Sequence, residues 1–143
     1  MVTGARQQCS VLLINPAKSQ SPQRAALEEL GFRVTETDDW PDDERAVLEY
    51  QVVIVRLPNI VGAPMLGARL RAKPRFGRRV LIALVPASTA LQERVSARSS
   101  GFDEVLTDCC DARQLVARIL RRLRTRPEYR CVLPPGDRRR PAA

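Results

Sequence analysis

The side chains able to do chemistry in this chain are carboxylates, thiols, hydroxyls and guanidiniums; histidine is absent. Without it, neither a Ser-His-Asp nor a Cys-His arrangement can be assembled within the chain. The four cysteines are Cys9, Cys109, Cys110 and Cys131, and none forms a Cys-x-x-Cys pair. Structural zinc sites draw on such pairs or on His, so no metal is expected. A disulfide between the adjacent Cys109 and Cys110 would be strained, and cytosolic thiols stay reduced, so free thiols are the expectation. The doublets Asp38-Asp39 and Asp42-Asp43 flank Trp40. They read as a solvated loop and not as an acid and base held on rigid elements. No Gly-rich phosphate loop occurs. The chain is therefore read as a non-enzyme with no cofactor.

The acids are unevenly placed. From Tyr50 through Gln92 there is no Asp or Glu, while the same stretch gathers Arg69, Arg71, Lys73, Arg75, Arg78 and Arg79. Such a cluster can contact phosphates in a salt-sensitive way, which makes these six residues candidate nucleic-acid contacts. Only Phe76 and Tyr129 lie near the basic runs, so base stacking has little support. Residues 118–143 hold nine Arg and two acids, Glu128 and Asp137, and carry most of the net charge of +8. With 22 Arg against 2 Lys, this tail also fits a solubilising segment.

The elements that would position these groups follow from periodicity and punctuation. Val11–Ile14 is a short apolar strand stopped by Asn15-Pro16. Ser21 can cap a helix opened by Pro22 and closed by Gly31. Arg33–Thr37 alternates like an edge strand, and a short helix is expected near Asp43–Tyr50. Val52–Leu57 and Val80–Val85 are continuously apolar, as strands covered on both faces are. Between them a helix is expected around Met65–Ala72. Ser88 is the expected cap of a helix over Leu91–Arg98, and Glu104–Leu106 a fifth strand. Asp111 should cap a helix whose Leu115, Val116, Ile119, Leu120 and Leu123 repeat at helical spacing. Five strands alternating with helices predict an α/β, doubly wound, flavodoxin-like (βα)5 domain: a parallel five-stranded sheet with helices on both faces. Active groups in such folds gather at the carboxyl ends of the strands.

This order of elements over residues 11–125 resembles the receiver (CheY-like) domain of two-component response regulators. The most specific match is Gly101-Phe102-Asp103-Glu104-Val105-Leu106-Thr107, similar to the family's segment before its active-site Lys. The resemblance implies an arm over 1–10, a receiver-like domain over 11–125, and a basic Pro/Arg-rich tail over 126–143, expected to be disordered. It also implies where a phosphorylation site would stand. The Mg²⁺-binding acidic pair falls on Asn15 and Pro16, and the phosphoacceptor on Arg56, or on Ile54 in the alternative alignment. The hydroxyl position falls near Leu84–Val85, and the Lys on Asp108. Every position is replaced, so the resemblance implies a degenerate, non-phosphorylatable pseudo-receiver. Arg56 and Asp108 are expected on neighbouring strand ends, where a bidentate pair could fix one conformation. The runs Val11–Pro16 and Leu81–Val85 also resemble the receiver-like domain of the amidase-operon antiterminator family.

The expected function is bacterial regulation by protein–protein interaction, as a homodimer or with another partner. By the resemblance, the face would be the fourth helix, fifth strand and fifth helix, with Gln92, Arg94, Arg98, Arg113, Arg118 and Arg121 as its candidate contacts. Two alternatives stand beside it: nucleic-acid binding in antitermination or transcription regulation, and sensing of a small anion at Arg56. Met1–Ser10 is short and polar with no signal-peptide core, and no apolar run approaches a membrane span. A cytoplasmic location without membrane contact is expected.

Overall fold

The computed structural model describes residues 9–16, 22–38, 49–57, 67–68, 71–72, 79–108 and 110–125. Its strands are β1 (Ser10–Ile14), β2 (Arg33–Thr37), β3 (Val52–Arg56), β4 (Val80–Val85) and β5 (Glu104–Thr107). Its described helices are α1 (Pro22–Glu29), α2 (Leu91–Ser100) and α3 (Ala112–Arg124); Gly67, Ala68, Arg71 and Ala72 are also helical. In the counting of the receiver family α2 and α3 are the fourth and fifth helices.

The strands form one parallel sheet in the order β2-β1-β3-β4-β5. The three central strands β1, β3 and β4 are the apolar runs, buried at almost every position because helices cover both faces. At the edge, β2 is half-exposed and carries the alternating pattern. One sheet face packs Val11, Leu13, Ile54, Ile82 and Leu84 against Leu27 of α1 and the apolar stripe of α3. The other packs Leu12, Ile14, Val53, Val55 and Leu81 with Ala97 of α2 and Phe102.

Helix ends follow their local chemistry. Gly31 adopts φ 98°, a left-handed conformation that suits glycine. Its N–H donates to Glu28 O at 3.1 Å and the Phe32 N–H donates to Leu27 O at 3.1 Å, closing α1 in a Schellman motif. Leu27 and Phe32 meet in the same core, which supplies the apolar contact of that motif. Asp111 caps α3, its Oδ1 accepting from Arg113 N at 3.1 Å. The helix α2 begins at Leu91 as expected, but Ser88 does not cap it: the cap position is Ala90, two residues further on. The Ala90 N–H donates instead to Glu93 Oε1 at 3.4 Å, a weak substitute.

The expected helix near Asp43–Tyr50 falls almost wholly outside the described residues, as do Ser21, the Asp42-Asp43 doublet, Cys109, Cys131 and the tail. Cys9 is buried and Cys110 half-buried, and neither is joined in a disulfide.

Candidate functional site

Parallel packing in register brings all five strand ends to one edge of the sheet. Asn15 follows β1, and its backbone N–H donates to Thr37 O at 2.7 Å. Its side chain is buried and donates from Nδ2 to Glu36 Oε2 at 2.9 Å. Glu36 Oε1 in turn lies 3.5 Å from Arg24 Nη1 of α1. The next α1 residue towards the N-terminus, Gln23, reaches the other side of the crevice, donating from Nε2 to Asp108 O at 2.8 Å. Two adjacent side chains of the first turn of α1 thus tie β2 and the end of β5 to one helix.

Arg56 ends β3, and its Nη2 lies 4.0 Å from Asp108 Oδ2. The two residues are not on neighbouring strands as expected, because β4 runs between β3 and β5. Two strand spacings amount to roughly 10 Å. The long guanidinium stem spans that gap, helped by the continuation of the chain past β5, where Asp108 N donates to Val85 O at 2.7 Å. At 4.0 Å the contact is an ion pair and not a bidentate fork, which needs N···O near ~2.8 Å. Both side chains are about a quarter exposed, so the pair contributes only about 0–1 kcal/mol. That is too little to hold a two-state element in one position by itself.

The fold family implies a Mg²⁺ ion at this edge, and the residues present do not fit one. Mg²⁺ asks for oxygen ligands in near-octahedral geometry. Pro16 offers no side-chain ligand, Asn15 engages Glu36 through its amide, and Arg56 places a positive charge at the centre. Among the described residues no group of three or more His, Cys, Asp or Glu is arranged to hold a metal. Leu84 also cannot act here: it is wholly buried in the sheet core, paired in register with Arg56.

The other candidate residues separate into engaged and exposed groups. Arg71 donates from Nε and Nη2 to Gly101 O at 3.0 and 2.6 Å and from Nη1 to Arg79 O at 3.2 Å. Its Nη2 also reaches Asp103 Oδ2 at 3.0 Å, the same oxygen that accepts from Leu81 N at 2.8 Å. Arg79 itself is only 9% exposed. Arg71 holds the turn before β5, and with Arg79 buried the two leave little surface for a phosphate backbone. Arg69, Lys73, Arg75 and Arg78 lie outside the described residues. On α3, Arg118 is half-buried, with Nη1 3.5 Å from Glu104 Oε1. Gln92, Arg98, Arg113 and Arg121 are exposed and Arg94 is half-buried.

Contacts across layers escaped the sequence reading, among them Gln23 with the Asp108 carbonyl, Arg71 with Asp103, and Arg122 with Glu104. Arg122 donates from Nε to Glu104 Oε2 at 2.8 Å and from Nη2 to Asp103 O at 2.9 Å. The last two pairs involve the acids of the Gly101–Thr107 segment that carried the resemblance. The Gly101–Thr107 match marked the segment, but only the packed helices reveal what its acids bind.

No family model matches the chain, and no curated protein does so either. Solved structures do. A response regulator from Desulfuromonas acetoxidans superposes with a TM-score of 0.65 at 23% identity, covering 82% of this chain and 98% of its own. An orphan response regulator of H. pylori gives 0.63 at 23% identity over 82% of this chain and 98% of that one. An atypical orphan response regulator, described as working by a phosphorylation-independent mechanism, gives 0.64 at 25% identity over 80% and 95%. Strand order, helix placement and these superpositions agree: the chain is a receiver-like domain with the CheY-like, flavodoxin-like fold of response regulators.

Proposed function

We propose that this domain regulates by protein–protein contact, without phosphoryl transfer. The observation that carries the reading is the set of groups at the strand ends, Asn15, Pro16, Arg56 and Asp108; by the resemblance, they stand where a receiver would keep its acids, phosphoacceptor (or at Ile54) and Lys. A carboxylate nucleophile and an oxygen-lined Mg²⁺ cradle are both replaced, and Arg56 with Asp108 reverses the order of charge. The atypical regulator with a phosphorylation-independent mechanism supports the reading by likeness of fold. Contact would be made by the side formed by α2, β5 and α3. There β5 is the edge strand, with α2 on one sheet face and α3 on the other.

The test is thermal unfolding with and without Mg²⁺ and beryllofluoride, a mimic of the phosphoryl group. An unchanged midpoint is expected, since the fluoride complex needs a carboxylate and a metal to sit on. A clear rise would overturn phosphorylation independence.

A further inference from the structure

We infer that the α2–β5–α3 side is built for an acidic, partly apolar protein segment and against a second copy of this chain. The inference rests on the interaction-domain reading above and adds the chemistry of the partner. On α2, Leu91, Arg94, Val95 and Arg98 fall at i, i+3, i+4 and i+7 and form one stripe. Leu91 is 68% and Val95 55% exposed, the large apolar side chains most open to solvent among the described residues. On α3, Arg121 is exposed beside the β5-facing Arg118, and the helix contains no acid from Ala112 to Arg124.

The β5 acid on this side is already engaged. Glu104 is buried against Arg118 and Arg122. Asp111 caps α3 through the Arg113 N–H, and Glu93 accepts from the Ala90 N–H at the start of α2. A two-fold interface apposes the same patch on both subunits. Here Arg94, Arg98 and Arg121 outnumber the exposed Glu93, so both copies would bring a like net charge to the interface, which is costly. An acidic segment with apolar side chains meets the same stripe with opposite charge and with groups to cover Leu91 and Val95. A phosphate backbone would answer the arginines but leave both apolar side chains uncovered.

The probe is the whole chain itself with Arg98→Glu and Arg121→Glu, which turns the face acidic and keeps Leu91 and Val95. Circular dichroism checks its fold, and the variant carrying only Arg121→Glu serves if the double change unfolds it. In sedimentation the unaltered chain should stay monomeric. Mixed with the reversed chain it should form a 1:1 complex. That complex should weaken on the order of tenfold in high salt and disappear with Val95→Asp in either copy. A symmetric dimer of the unaltered chain, dispersed by the same substitutions, would overturn the inference while leaving an interaction domain. A mixture that remains monomeric would also overturn it. So would binding of oligouridylate that survives Val95→Asp but not the arginine reversals. Failure of the phosphorylation-independent reading would surface separately, in the beryllofluoride melt.

Discussion

Arg56 and Arg122 are both arginines facing a carboxylate, and their surroundings make them unequal. Arg56 and Asp108 are about a quarter exposed and 4.0 Å apart, in contact with water. Glu104 is 4% exposed and takes a 2.6 Å contact from Arg122, with Arg118 at 3.5 Å. Arg56→Met should therefore lower unfolding stability by less than ~1 kcal/mol in urea titration. Arg122→Met should cost about 3 kcal/mol or more, because it leaves a buried carboxylate with one long contact. The pair Arg122→Met with Glu104→Leu should recover most of that loss, since no charge is then stranded. Equal losses from Arg56→Met and Arg122→Met would contradict this ranking by burial.

At the scale of elements, the turn from α2 into β5 is tightly fitted. A Cβ on Gly101 would stand 2.3 Å from Gly67 O, where only backbone could give way. Gly101→Ala should cost about 1–3 kcal/mol and lower the melting midpoint. Asp111→Ala removes the α3 cap and should cost about 1 kcal/mol, seen first as faster amide exchange at Arg113. These elements were legible in the chain to different degrees. The strands β1, β3 and β4 declared themselves as unbroken apolar runs, and α3 as a helical stripe. The start of α2 at Leu91 was legible as well, but its cap was not, because Ser88 is a good capping residue and the cap position falls on Ala90. Arg71–Asp103 and Arg122–Glu104 join residues 32 and 18 apart in sequence, and no local pattern announces a contact across packed layers. The approach of Arg56 to Asp108 was legible only through the resemblance, and even then β4 between them was not foreseen.

At the scale of the molecule, a receiver-like sheet has kept its layers while its strand ends carry different chemistry. Fold and site are separable: the neighbours at 23–25% identity share the frame, and the function must be argued from the groups at its edge. Among those groups, Gln23 and Arg24 of α1 tie the two flanks and Arg56 faces Asp108. No helix among the described residues is long and apolar enough to cross a membrane. The net charge of +8 makes association with acidic surfaces sensitive to salt. The central claim is that the strand ends cannot accept a phosphoryl group. Intact-mass measurement after incubation with acetyl phosphate and Mg²⁺ tests it most directly. The account predicts a single unmodified mass under conditions that label an ordinary receiver; a phosphoryl adduct that is lost at alkaline pH, as an acyl phosphate is, would contradict it.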